Sequence, residues 1–115
     1  MYERIGTISE KDRIELLAEP RDWQQCKGEF ADYWSDDDGA RMFVKIPPKG
    51  KVHKHSDNGF KVHTVLLTNS RCESWSDGIL FRLEQGGIYR LDASLPHESI
   101  NWGEADRIHL ISTAT

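Results

Sequence analysis

From Arg41 onward the chain alternates short β-forming runs with turn signals, and this alternation constrains the fold more than any other feature. Runs such as RMFVKI, KVHTVLLT and RIHLIST are separated by PPKG, SDNG, SDG and QGG. Strands spaced about 8–12 residues apart, with Gly, Asn, Asp and Pro between them, are typical of sandwiches and barrels. The stretch from Arg41 to Thr113 is about the minimum for eight short strands. We therefore expect a mainly β fold, a double-sheet jelly-roll barrel.

The first forty residues predict one or two helices packed outside this barrel. Ser9 is a good N-cap, Asp12 occupies the third helical position, and Pro20 ends the segment. A second helix is expected to begin at Asp22, because four residues follow at near-helical spacing: Trp23, Cys26, Phe30 and Trp34. The 115 residues then form one domain, with a helical segment over 1–40 and a jelly-roll core over 41–115.

Composition and charge exclude several classes of function. The net charge is −4, with acids and bases interspersed, which argues against a broad basic surface for nucleic acid. Apolar runs are too short to span a bilayer, and the N-terminus lacks the apolar core of a signal peptide. Cys26 and Cys72 have no CxxC spacing and are expected to be free thiols in a cytoplasmic protein. Exposed edge strands of a small barrel are compatible with a homodimer.

The stretch HKHSDNGFKVH concentrates potential metal ligands. His53, His55 and Asp57 have the same parity, so an extended chain would project all three from one face. His63 shares a parity with Lys61 farther along. Parity does not tell which face is inside, and a bulge would break the count.

A distant histidine and a late arginine complete a recognisable pattern. His97 follows a proline, and Arg107 lies ten residues later on an expected strand. A His-x-Asp pair with a distal His predicts a two-histidine, one-carboxylate triad, here His55, Asp57 and His97. Such a triad covers one face of an octahedral Fe(II) and leaves positions for a bidentate 2-oxo acid and O₂. Arg107 would clamp the far carboxylate of that acid.

These motifs resemble the aspartyl/asparaginyl β-hydroxylase type of Fe(II)- and 2-oxoglutarate-dependent oxygenases, built on the double-stranded β-helix. The pieces that match are RMFVKIPPKGKVHKHSD, KVHTVLLTN, LEQGGIYRLDASLPHESIN and DRIHLI. The resemblance implies Fe(II) as metal, 2-oxoglutarate as cosubstrate and hydroxylation of a free or peptidyl amino acid. It implies metal ligation by His55 and His97, with Asp57 in place. It further implies 2-oxoglutarate binding by Arg107, His63 and Lys61, although the family usually has arginine where Lys61 stands.

Two alternative functions fit the same barrel. A cupin-like metalloprotein without 2-oxoglutarate would use His53, His55 and His97, but the glutamate that cupins place after the histidine pair is missing. A non-catalytic binding module would hold a structural metal or none. Structural sites are usually closed by protein ligands, so three ligands without an obvious fourth favour an enzyme.

Overall fold

The structure is a computed structural model, and it describes residues 2–36 and 39–114. This part of the chain contains one helix, α1 (Glu10–Ala18), and eleven strands. The strands are β1 (Tyr2–Thr7), β2 (Gln24–Gln25), β3 (Asp32–Ser35), β4 (Arg41–Ile46), β5 (Lys51–His55), β6 (Phe60–Leu67), β7 (Cys72–Ser76), β8 (Ile79–Phe81), β9 (Gly87–Asp92), β10 (His97–Asn101) and β11 (Arg107–Ala114).

The strands form two antiparallel sheets. A seven-stranded sheet has the order β1-β9-β6-β11-β4-β3-β2, and a four-stranded sheet has the order β5-β10-β7-β8. Residues 41–114 supply eight strands, β4 to β11, as the alternation of runs and turns predicts. A cavity of about 330 Å³ lies between the sheets and is lined by side chains of both. The mainly β, jelly-roll expectation is therefore confirmed.

The large sheet is buried on both faces at its centre. Its inner face carries Ile46, Val65 and His109, which are all but fully buried and lie on adjacent strands β4, β6 and β11. Alternation turns Phe43 and Leu66 to the outer face, where they are also buried. The near-continuous apolar character of these strands follows from this double burial.

Helix α1 covers part of the outer face of β6 and begins where the sequence predicts. The Ser9 hydroxyl accepts a hydrogen bond from the main-chain N–H of Asp12 at 3.1 Å. None of the α1 residues is buried, so its own apolar side chains contribute little to its docking. Arg13 reaches the sheet instead and donates to the carbonyl of Leu66 at 3.0 Å. No helix among the described residues has the length and apolar character needed to cross a membrane.

The prediction of a second helix beginning at Asp22 is wrong, because this segment forms β2, a turn and β3. Gly28 in the turn has φ +79°, which a right-handed helix does not allow. Trp34 lies on β3, and its ring packs edge-on against the ring of Phe43, with 5.8 Å between the two ring centroids. Phe30 is 68% exposed, so the near-helical spacing of the aromatic residues does not describe a common face.

Strand β1 is a second departure from the helical expectation for the first forty residues. It pairs antiparallel with β9 and forms one edge of the large sheet, from Tyr2 opposite Leu91 to Thr7 opposite Gly87. Most of its side chains are exposed. Its sequence therefore does not show the alternation of apolar and polar residues by which a strand is identified. Pairing with β9, a distant part of the chain, determines its conformation.

Candidate metal centre

A bulge in β5 places His55 opposite His97. On β10, Ser99 pairs with Val52 and His97 pairs with His55, so two steps on β10 match three steps on β5. The extra residue on β5 resets the in-out alternation, and Val52 and His55 both line the cavity. The resulting pair of imidazoles has ring centroids 4.3 Å apart.

Asp57 completes the cluster from the loop that follows β5. Its main-chain N–H donates to the carbonyl of Ala93 at 2.8 Å, which fixes the loop beside the end of β9. The Asp57 Oδ2 atom lies 3.4 Å from Nε2 of His55 and 3.9 Å from Nε2 of His97. Potential ligand atoms of the three residues all lie within 4.8 Å of one another. The structure thus brings together the three residues expected to form the triad.

Main-chain carbonyls determine which imidazole nitrogens are free to bind a metal. Nδ1 of His55 lies 2.8 Å from the carbonyl of His53, and Nδ1 of His97 lies 2.8 Å from the carbonyl of Leu95. A carbonyl only accepts, so both Nδ1 atoms carry the proton and both Nε2 atoms keep a lone pair. Histidines that bind metals are commonly oriented by such a second hydrogen bond. The donor set is therefore preformed.

His53 lies outside this cluster. Its Nδ1 and its main-chain N–H both contact Oε2 of Glu29, each at 2.7 Å. The bulge in β5 removes the common parity that would have placed His53 and His55 on one face. His53 supports the site through its carbonyl, not through its ring, which disfavours a His53–His55–His97 ligand set.

The chemistry of the donor set fits a divalent cation that keeps open coordination positions. The side chains of His55, Asp57 and His97 are 40%, 49% and 27% exposed, so the cluster faces the opening of the cavity. Two imidazoles and one carboxylate are the ligands of the facial triad, which leaves three positions of an octahedral ion open. No fourth histidine, cysteine or acid joins the cluster among the described residues.

Arg107 lines the same cavity but is almost fully buried, with 7% of its surface exposed. Burial lowers the pKa of its guanidinium to about 10. The salt bridges to Glu104 or Asp106 that a surface arginine would form are absent, and no described carboxylate lies within ion-pair distance of it. A buried cation without a counterion is costly unless a ligand supplies the negative charge.

His63 also faces the cavity, and its neighbour His109 is a residue whose role the sequence did not predict. Their Nδ1 atoms are 3.0 Å apart. Burial, reinforced by the charges of Arg107, His97 and Lys61, lowers the pKa of His63 to about 3. In the sequence, the one indication that His109 points inward was its position two residues after Arg107, which places both side chains on the same face of β11.

Lys61 lines the cavity too, at the end where the metal cluster lies. It pairs with Leu91 on β9 and with Thr113 on β11. Arg107 precedes Thr113 by six positions on β11 and pairs with Ile46. Six residues of strand span about 20 Å. The main-chain positions of the two residues are therefore well separated along the strands, whereas both of their charges act on the buried His63 in the same cavity.

Solved structures with a similar fold include cupin proteins. A cupin-like protein from Thermotoga maritima is similar with a TM-score of 0.65 and 18% identity, over 84% of this chain and 80% of that one. A Cupin 2 conserved barrel domain protein from Salinispora arenicola CNS-205 is similar with a TM-score of 0.58 and 14% identity, over 78% of both chains. At these identities the likeness shows the fold alone.

Sequence comparison identifies the family. The model of the aspartyl/asparaginyl beta-hydroxylase family matches residues 13–114, and the chain belongs to this family of hydroxylases. An L-proline cis-4-hydroxylase from Rhizobium meliloti (strain 1021) is 37% identical over 59% of this chain. The match covers 26% of that relative, so the chain spans about a quarter of its length.

Proposed function

We propose that the protein is an Fe(II)- and 2-oxoglutarate-dependent oxygenase that hydroxylates an amino acid. The observation that carries the proposal is the position of Arg107. Its guanidinium is buried and has no counterion, and it lines the same cavity as the His55–Asp57–His97 cluster. A metal triad alone fits many reactions. A triad with a buried guanidinium at the inner end of its cavity fits a small dianion that chelates the metal at one end.

Different residues of the chain bind the metal and the cosubstrate. His55, Asp57 and His97 hold the iron through Nε2, a carboxylate oxygen and Nε2. Arg107 pairs with the distal carboxylate of 2-oxoglutarate in a site from which water is largely excluded, where a charge-assisted pair is strong. His63 stays neutral at physiological pH because of its low pKa, so its ring can hydrogen-bond the cosubstrate without repelling Arg107.

The cavity supports a small cosubstrate and a small substrate. Its volume of about 330 Å³ lies at the lower end of the range for ligand sites. The bound iron and cosubstrate would supply the oxidising power for insertion of oxygen from O₂ into a C–H bond, and the protein would position the groups and exclude water. Most of the cavity surface is apolar, which serves that exclusion.

An amino acid is the proposed substrate class, and free L-proline is the first compound to test. The relative that matches over 59% of this chain is an L-proline cis-4-hydroxylase, and the family name refers to aspartyl and asparaginyl residues. A peptidyl substrate is thus the alternative within the same reaction. Location in the cytoplasm and dimerisation remain expectations from the sequence.

The test is an anaerobic titration of the metal-free protein with Fe(II) and then 2-oxoglutarate. A weak visible charge-transfer band on addition of 2-oxoglutarate is expected, since it reports chelation by the oxo acid. Arg107→Met should reduce the affinity for 2-oxoglutarate at least tenfold, and Arg82→Met, which removes an exposed arginine paired with Glu73, should not. Iron binding without the band would refute 2-oxoglutarate dependence and favour a cupin-type reaction.

A further inference from the structure

We propose that Glu29 is a positioning residue of the metal centre, which holds the bulge of β5 in the form that directs His55 into the cavity. The inference rests on the metal-binding part of the proposed function and is independent of 2-oxoglutarate. Three features support this role: the place of the bulge in the ligand set, the contacts that Glu29 makes with it, and the anchoring of the turn that carries Glu29.

The bulge consists of His53 and Lys54, which together lie opposite the single residue Glu98 of β10. Without the extra residue, strict alternation would leave Val52 facing the cavity and would turn His55 away from it. Bulges next to functional sites commonly re-aim a side chain in this way. The ligand set of the metal centre therefore depends on the bulge.

Glu29 binds the first bulge residue at two points. Its Oε2 atom lies 2.7 Å from the main-chain nitrogen of His53 and 2.7 Å from Nδ1 of the same residue. A carboxylate only accepts, so both nitrogen atoms donate to it. The carbonyl of His53 in turn accepts from Nδ1 of His55 at 2.8 Å. Two hydrogen bonds from Glu29 thus fix the residue whose carbonyl orients the metal ligand.

The position of β5 in its sheet makes this contact important. β5 is the edge strand of the four-stranded sheet. An edge strand presents main-chain N–H groups that have no partner in a neighbouring strand, and Glu29 supplies the acceptor for the N–H of His53. Only 22% of the Glu29 side chain is exposed. Hydrogen bonds to an ionised acceptor are stronger than those between neutral groups, and partial burial strengthens them further.

The turn that carries Glu29 is itself fixed against the edge of β5. Phe30 and Lys51 exchange two main-chain hydrogen bonds, at 3.1 and 3.0 Å. Gly50 permits this close approach, because a Cβ atom there would lie 2.5 Å from the carbonyl oxygen of Phe30. Ala31 is 3% exposed and belongs to the hydrophobic core. Glu29 is therefore held by a rigid support, as the positioning of a metal ligand requires.

Removal of the carboxylate should loosen the bulge and leave the barrel folded. The N–H of His53 lies at an exposed strand edge, so water can replace Glu29 as its acceptor. The carbonyl of His53 would then no longer be held in one place, and the ring of His55 would lose its fixed orientation. Loss of a residue that orients a metal ligand typically weakens metal binding about 10–100-fold.

The first test is calorimetric titration of the metal-free proteins with Mn(II). Glu29→Ala should weaken Mn(II) binding about tenfold or more. Glu29→Gln should restore most of the affinity, because its amide oxygen still accepts from the N–H of His53. The matched control is Glu73→Ala, which removes another largely buried acid, bound to Arg82 and Trp102 outside the cavity. Its Mn(II) affinity should stay within about threefold of the wild type.

A shortened side chain provides a second variant. Glu29→Asp keeps the charge but withdraws the carboxylate by one methylene group, so it should lose Mn(II) affinity as Glu29→Ala does. It takes the place of Glu29→Ala if that protein does not fold.

Nuclear magnetic resonance of the metal-free proteins with isotope-labelled histidine separates positioning from general destabilisation. In the wild type, His55 should carry its proton on Nδ1, because the carbonyl of His53 accepts there. Glu29→Ala should populate both tautomers of His55. His97, whose Nδ1 is bonded to the carbonyl of Leu95, is the internal reference and should keep its tautomer.

Each other result overturns the inference in a distinct way. Unchanged Mn(II) affinity in Glu29→Ala and Glu29→Asp would refute a positioning role. A loss in Glu73→Ala as large as in Glu29→Ala, or weaker binding with an unchanged His55 tautomer, would assign the effect to stability alone. Absence of Mn(II) binding by the wild type would refute the metal centre and this inference together. Mn(II) binding by the wild type without 2-oxoglutarate binding would refute the oxygenase and leave the role of Glu29 to be decided by its variants.

Discussion

The imidazoles of His63 and His109 meet with their Nδ1 atoms 3.0 Å apart and their planes at 89°. Such a contact is a hydrogen bond only if one Nδ1 carries a proton and the other does not. Burial lowers the pKa of both histidines, to about 3 for His63 and well below the ordinary value of 6.5 for His109. Both rings are therefore neutral in the folded protein at physiological pH.

Acidification is expected to destabilise the metal-free protein between about pH 6.5 and pH 3. In this window the unfolded chain binds protons at His63 and His109 and the folded chain does not, so the free energy of unfolding falls as the pH falls. One such proton changes it by about 1.4 kcal/mol per pH unit. Urea unfolding at pH 7.5, 6.0 and 5.0 measures the slope. The double variant His63→Gln/His109→Gln should have a flatter slope, and an unchanged slope would contradict the assignment.

Arg107→Met is expected to separate stability from ligand binding. Removal of a buried cation without a counterion should leave the ligand-free protein as stable as before, or more stable by on the order of 1 kcal/mol. The variant should also lose the rise in melting temperature that 2-oxoglutarate gives the Mn(II)-loaded wild type. Thermal unfolding with and without 2-oxoglutarate tests both points. A variant that is less stable and still stabilised by 2-oxoglutarate would show that Arg107 has a structural role.

Metal affinity should depend on the ring of His55 and not on the ring of His53. His55→Ala removes a preformed ligand, so Fe(II) or Mn(II) affinity should fall at least a hundredfold. His53→Ala keeps the carbonyl that accepts from Nδ1 of His55, and its affinity should stay within about threefold. Calorimetric titration of the metal-free variants decides the point. Equal losses in the two variants would support a ligand set that includes His53.

Among the polar side chains, that of Asn101 is expected to cause the largest loss of unfolding free energy when it is removed. It is fully buried, donates to the carbonyls of Ile46 and Ala105, and accepts from Gly103 and Asn69. Asn101→Ala removes these hydrogen bonds and leaves the buried N–H of Gly103 without its acceptor, which should cost about 2–4 kcal/mol of unfolding free energy. Urea denaturation measures the loss. Asn69→Ala, which removes one member of the same network, should cost less.

The strands that bury alternating or continuous apolar residues could be predicted from the sequence, and so could the clustering of His55, Asp57 and His97. The strand signals are local, such as a run of β-branched residues followed by a turn rich in glycine. The cluster was inferred from a local His-x-Asp pair combined with the distant His97. The strands β1 and β3 could not be predicted in this way, because pairing with β9 and β4 outweighs their own composition. The helix that was expected from Asp22 rested on the near-helical spacing of Trp23, Cys26 and Phe30, which arose by chance.

Within the site, the sequence identified the chemical groups but not their geometry. The bulge in β5 that separates His53 from His55 depends on pairing with β10, which no local signal reveals. The distance between Lys61 and Arg107 likewise depends on the register of β6 against β11. His109 looked like an ordinary strand residue because its partner, His63, lies far away in sequence.

Asp57 belongs to a loop that is hydrogen-bonded to Ala93 at the end of the large sheet, whereas His55 and His97 belong to the small sheet. An ion bound by all three would therefore join the two layers of the barrel, as a reversible cross-link. Hydrogen exchange at the amides of β5 and β10 would slow when the metal is loaded, and the two sheets would separate more readily when it is lost. A metal bound at this cluster would thus also hold the two sheets together, and its loss is expected to lower the stability of the folded protein.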